Sequence, residues 1–169
     1  MSEPSRSCAP ATTVRAVVHA AGAATPYTRS GHGATVVLLV GPERADLLSR
    51  RLAARHRVLV PEVPALRPVE ADAAGRLAFC LWLRSFLDGL GVDRAAVVAG
   101  GGQARAALAF ALLEEDRVER LVLWPGDGAA GEGEDAFAPR PPCPLLALPP
   151  AVLPTAAVEA TARFLAATD

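Results

Sequence analysis

The sequence predicts an α/β domain: a mostly parallel sheet with helices on both faces and an N-terminal antiparallel hairpin. Three observations predict it. Short apolar runs, "VVLLV", "VLV", "AAVVA" and "LVLW", alternate with helical stretches along the chain. These runs are apolar throughout rather than every second residue, as in strands covered on both faces. The 169 residues, 51% hydrophobic and 21% charged, suit one sizeable core and not a disordered chain.

Each element has its own signal. Residues 1–13, "MSEPSRSCAPATT", read as a polar leader without an apolar signal core, and 14–169 as the domain. Val14 to Gly22 and Ala24 to Gly31 form two strands of a hairpin turning at Gly22. Val36 to Val40 is a buried strand. Glu43 to Arg55 follows as a helix, with Pro42 in its first turn and Leu47, Leu48 and Leu52 on its inner face. Val58 to Val60 is the next strand, and Pro61, Pro64 and Pro68 make the following stretch a loop. Ala71 to Leu90 is a long helix closed by Gly91, with a broad apolar surface that includes Phe79, Trp82 and Phe86. Three large rings exceed what packing on a sheet requires, so part of this helix is expected at a homodimer interface. The alternative is a helix tucked under a loop. Arg94 to Ala99 is a strand, Gln103 to Leu113 an alanine-rich helix and Arg120 to Trp124 a strand. The Gly-, acid- and Pro-rich residues 126–142 read as a mobile loop. Leu145 to Leu148 is a short strand, and Thr155 to Ala167 closes the chain as a helix.

Composition excludes several function classes. The formal net charge is −1, without a basic stripe or stacking aromatics, which argues against nucleic acid. No uncharged apolar run is long enough for a membrane span. Cys8, Cys80 and Cys143 are odd in number and widely spaced. They read as reduced thiols of a cytoplasmic protein rather than disulfides or a zinc site. The chain has no Lys, Asn or Ile. All three have AT-rich codons, so a GC-rich bacterial genome is inferred, and no lysine base or Schiff base is available. No cofactor or metal is expected.

In such folds ligands bind beyond the carboxyl ends of the strands. Four loops therefore frame the expected site: Gly41 to Glu43, Pro61 to Pro64, Gly100 to Gln103 and Pro125 to Gly128. At these positions the sequence resembles the α/β-hydrolase family. "ATVVLLVGPE" is similar to the strand that leads into the family's oxyanion loop. "LAARHRVLVPEVP" resembles the next helix and strand. "VVAGGGQARAALAFALLEEDRVERLVLWP" resembles the nucleophile-elbow strand and helix with their Asp-Arg-Val turn. "CPLLALP" and "AVLPTAAVEATARFLA" resemble the last strand and the segment around the catalytic histidine. The likeness runs from about Val14 to the C-terminus, in a shortened form without the cap.

Its departures fall on the chemistry. The family's Gly-x-Ser-x-Gly lands on Ala99 to Gln103, which places Gly101 at the serine position. Val152 stands at the histidine position, Val40 replaces the oxyanion-loop histidine, and the usual Gly-x-x-Asp segment is missing. A triad needs a nucleophile, a base within hydrogen-bond reach and an orienting acid. The resemblance thus implies a triad-less domain that does not form a serine ester.

The remaining candidates are few. His19, His32 and His56 lie away from the elbow and read as structural. Cys80 and Cys143 read as inert, and Ser30, Ser49 and Ser85 as surface residues without a neighbouring histidine. Glu43, Glu62 and Asp127 should open toward one mouth. Each could serve only structure, as Glu43 would at a helix N-terminus, or one could act as general base. Asp127 is favoured because a family variant places its acid after that strand. Gly41, Pro42, Gly100, Gly101, Gly102, Gln103 and Val152 are the expected ligand-binding set. Backbone amides at Gly102 and Gln103 can polarise a carbonyl without a nucleophile, favouring cyclisation, isomerisation or epimerisation of a small organic molecule. Bacterial secondary metabolism is the expected setting. The alternatives are a catalytically inactive binding or interaction protein and a hydrolase with a relocated triad.

Overall fold

The computed structural model describes residues 12–64, 73–124, 139–149 and 152–167. Its strands are β1 (Val14–Ala20), β2 (Ala23–Ser30), β3 (Ala34–Leu39), β4 (His56–Pro61), β5 (Ala95–Gly100), β6 (Val118–Trp124) and β7 (Leu145–Ala147). Between and after them lie α1 (Pro42–Leu52), α2 (Ala73–Gly89), α3 (Gln103–Leu113) and α4 (Pro154–Ala166), with a 3-10 turn over Glu115–Arg117. The seven strands make one sheet in the order β1-β2-β4-β3-β5-β6-β7. β2 is antiparallel to both β1 and β4, and every other pairing is parallel. The mostly parallel sheet and N-terminal hairpin are therefore as the sequence predicts.

Continuous apolar strands need two covers, and the period of two divides their side chains between them. Val37, Leu39, Val97, Ala99, Leu121 and Leu123 face the layer of α2 and α3. Val36, Leu38, Ala96, Val98, Val122 and Trp124 face α1 and α4. α3 buries Ala104, Ala106, Ala107 and Ala111, whose small side chains bring its axis close to the sheet. α4 is tied down by polar contacts as well. Arg51 of α1 makes a two-pronged bond to Glu159 (2.8 and 3.1 Å), and the Trp124 indole donates to the Thr161 hydroxyl at 3.1 Å.

The aromatic helix is where the sequence reading needs correction. Phe79, Trp82 and Phe86 are at most 1% exposed within the single chain, so they cannot form a partner interface without unpacking the core. The sheet edge covers them. The Trp82 indole donates to Thr25 of β2 (3.1 Å), Tyr27 meets Phe86 edge-on at 5.6 Å, and Trp82 stacks on Phe86 at 5.9 Å. Ser85 accepts the amide of Ala21 at 2.8 Å. Ala21 has φ +49, a left-handed conformation that Ala adopts only when held there. Ser85 is thus a tether for the hairpin and not a bare surface residue. Ser30, also expected at the surface, is buried at the end of β2. Leu47 turns outward and is 45% exposed, while Leu48 and Leu52 alone of the three expected leucines face inward. Residues 1–11 of the expected leader, 65–72 with Pro68 and the expected helix start at Ala71, Pro125, and 126–138 of the expected mobile loop lie outside the described residues.

Candidate ligand-binding site

Strand β5 ends in glycine because nothing larger fits comfortably. A Cβ on Gly100 would stand 3.3 Å from both Trp124 Cβ and Val40 Cγ1, tighter than ordinary packing. The chain then reverses sharply into α3 through Gly101, at φ +57. A left-handed residue at a strand-to-helix turn favours glycine. The same geometry, in a nucleophile elbow, presents a side chain above the sheet. Here a Cβ at Gly101 would meet nothing within 4 Å among the described residues, so none of them blocks the direction in which such a side chain would point. Gly102 is the N-cap of α3 with φ −61, and no side chain caps this helix. Ala104 donates to the Gly101 carbonyl at 3.1 Å, which closes the first turn.

β3 lies beside β5, with Leu39 opposite Ala99, so the loop after β3 borders the glycine turn. Gly41 is the N-cap of α1, again without a side-chain cap, and Pro42 opens the helix where its missing N–H costs nothing. Glu43 follows in that first turn and is exposed. On the other side of β5, Gly100 pairs with Trp124. The sheet therefore brings Gly41, Pro42, Gly100, Gly101, Gly102 and Gln103 to one rim. Val152 is half-buried and packs with Val40 against the apolar cluster that contains Trp124.

The two described carboxylates, Glu43 and Glu62, separate. Glu43 stays at this rim. Glu62, beyond β4, pairs with Arg15 of β1 at 3.3 Å, both side chains being well exposed. Its carboxylate thus reaches across β2 to the far sheet edge, away from β5. Asp127 lies outside the described residues. Two residues that the sequence reading missed stand beside the turn. Trp124 is buried beside the turn, and the Arg44 guanidinium lies 5.7 Å from its ring centroid. The hint was present in "LVLWP": a tryptophan ending a strand that pairs with the glycine strand.

The histidines and the described cysteines stand elsewhere. His19 and His32 are exposed, and His56 is buried at the start of β4 with an unpartnered Nδ1. Cys80 and Cys143 are free thiols. Burial, with a smaller effect of the Glu114 charge, pushes the Cys80 thiol up to about 11, and burial also raises Cys143. Both are held in the protonated, weakly nucleophilic form. Among the described residues no group of His, Cys, Asp and Glu is arranged to hold a metal ion, and no helix is long and apolar enough to cross a membrane.

Known proteins share this architecture. No protein-family model matches the chain. It is 30% identical over 93 residues to 2-hydroxy-6-oxo-6-phenylhexa-2,4-dienoate hydrolase of Burkholderia cepacia, which covers 53% of this chain and 32% of that protein. The epoxide hydrolase CorEH superposes with a TM-score of 0.60 at 22% identity, covering 72% of this chain and 46% of that one. The meta-cleavage product hydrolase CumD gives 0.55 at 24% identity, covering 63% and 43%. An epoxide hydrolase from Vigna radiata gives 0.57 at 17%, covering 66% and 39%. The chain spans less than half the length of each of these proteins. Strand order, the single antiparallel strand, the left-handed turn after β5 and these superpositions establish that the chain has the α/β-hydrolase fold.

Proposed function

We propose that the protein binds a small carbonyl compound at the turn Gly100–Gln103 and acts on it without a covalent intermediate, as an isomerase, cyclase or epimerase. One observation carries this reading. At the position where an elbow presents its nucleophile, Gly101 has the left-handed φ of +57 but no side chain, and none of the described residues fills the space in front of it. A carbonyl oxygen placed there faces the first amides of α3, where the helix dipole favours developing negative charge. Polarising a carbonyl acidifies the neighbouring carbon, so a base at the same rim can move a proton there. Glu43 is the described carboxylate best placed for that role, because Glu62 is engaged with Arg15. Asp127 remains a candidate from its sequence position. Bacterial secondary metabolism is the proposed setting, supported by the base composition inferred from the missing Lys, Asn and Ile.

A second reading rests on the relatives, which are named as hydrolases. In it the chain hydrolyses its substrate with a nucleophile outside the elbow. One experiment separates the two. The protein is incubated in heavy water with a panel of cyclic ketones and β-keto esters, followed by proton NMR. The proposed activity washes deuterium into the carbon beside the carbonyl, is slowed by Glu43→Gln and is blocked by Gly101→Leu. Ester cleavage without exchange would refute it in favour of the second reading.

A further inference from the structure

A second concave surface lies at the opposite end of the sheet, unconnected with the glycine turn. Where β3 and β4 begin and the hairpin strand β2 ends, a cleft of about 360 Å³ opens. Its polar lining comes from Arg29, Arg57, His32, Ser30 and Thr12, and no carboxylate lines it among the described residues. Register explains why two arginines meet there. Arg29 stands opposite Leu59 across β2 and β4, and Arg57 is two residues before Leu59. The two side chains therefore share a face of the sheet as diagonal neighbours, roughly 7–8 Å apart at their bases. A like-charged pair so placed is unfavourable without a counter-charge.

The structure holds Arg57 in position. Arg57 donates from Nε and Nη2 to the Thr35 hydroxyl at 3.0 and 2.7 Å, which fixes its guanidinium plane while adding no negative charge. Among the described residues nothing hydrogen-bonds to its remaining nitrogen Nη1. The rim is the turn Gly31–Gly33, with Gly31 at φ +70. A Cβ at Gly31 would overlap the carbonyl oxygens of Ala53 and His56, so this turn is pressed against the end of α1 and the start of β4. The cleft is thus preformed, and local, in a chain whose net charge is −1.

We propose that this cleft binds a doubly charged oxyanion group, either the phosphoryl or the dicarboxylate head of a small molecule. Two guanidinium forks on one face match such a group, since each can present paired N–H donors to paired oxygens. The site is independent of the glycine turn and of the reaction proposed there.

The test is calorimetric titration of the full chain with inorganic phosphate and, separately, with malonate, against sodium chloride at matched ionic strength. Amide shifts of Gly31, His32 and Gly33 are followed in parallel. Saturable binding of phosphate alone assigns a phosphoryl ligand, of malonate alone a dicarboxylate, and of both a site selecting for charge. Arg29→Gln should weaken binding by roughly tenfold to a hundredfold, the usual loss for a hydrogen bond to a charged group. Arg29 is exposed, so this variant keeps its core even if Arg57→Gln fails to fold. Absence of saturation with both anions, or binding unchanged in Arg29→Gln, would overturn the proposal.

Discussion

Replacing Gly101 with serine asks whether the elbow lacks only its side chain or also the groups that would activate it. The steric part of the cost is small, because a Cβ there meets nothing within 4 Å among the described residues. The conformational part comes from φ +57, which costs an L-residue about 1–2 kcal/mol. Reduced freedom of the unfolded chain offsets about 0.4–1 kcal/mol of that. Gly101→Ser should therefore lose about 1 kcal/mol in urea denaturation and remain folded, given a typical domain stability of about 5–15 kcal/mol. It should gain no esterase activity. The family resemblance puts Val152 at the histidine position, and the imidazoles lie elsewhere in the sheet. His19 is on β1, four strand spacings from β5, or roughly 19 Å at about 4.8 Å per strand. His56 begins β4, at the end of the sheet opposite the turn, and His32 belongs to the turn before β3. p-Nitrophenyl ester turnover by Gly101→Ser well above the wild type would refute this reasoning, since it requires a base within reach. A stability loss beyond about 3 kcal/mol, the range of overpacking, would show that the space before Gly101 is closed.

The remaining predictions test the frame and its titrating groups. Phe86→Ala should cost about 3–5 kcal/mol, with a urea midpoint independent of protein concentration, because Phe86 is buried within one chain; concentration dependence would return the ring to an interface. The Arg51 hydrogen bond holds the Glu159 carboxyl below its usual range. A depressed carboxyl contributes stability above its unfolded pKa and loses it as pH falls through the folded value, so the midpoint difference between wild type and Glu159→Gln should vanish in acid. Cys80 has the opposite sign. Its raised thiol contributes stability in full below the ordinary pKa of 9.0 and loses it as pH rises toward about 11. Urea midpoints of wild type and Cys80→Ala should therefore diverge across that window, and native Cys80 should resist iodoacetamide at neutral pH.

The sequence was most legible where one local signal sufficed. Unbroken apolar runs marked β3, β5 and β6, and three consecutive glycines between a strand and a helix marked the elbow, whose left-handed residue is Gly101. It was least legible where contacts are distant in the chain. The rings of α2 looked surplus because their partners, Thr25 and Tyr27, lie on a hairpin more than fifty residues earlier that covers the helix. Leu47 and Leu48 are equally apolar, and only the docking of α1 decides which one is buried. The Arg29–Arg57 cleft left no trace in composition or motif, since strand register alone brings those side chains to one face. Glu62 could be placed on the correct loop, but its salt bridge to Arg15 required the strand order.

The central claim is that the elbow offers a backbone site and no nucleophile. It is tested most directly by treating the wild-type protein with a fluorophosphonate and measuring its intact mass, alongside pre-steady-state turnover of a p-nitrophenyl ester. The account predicts an unmodified mass and no burst of product. A stoichiometric adduct on any serine, accompanied by a burst of equal amplitude, would contradict it.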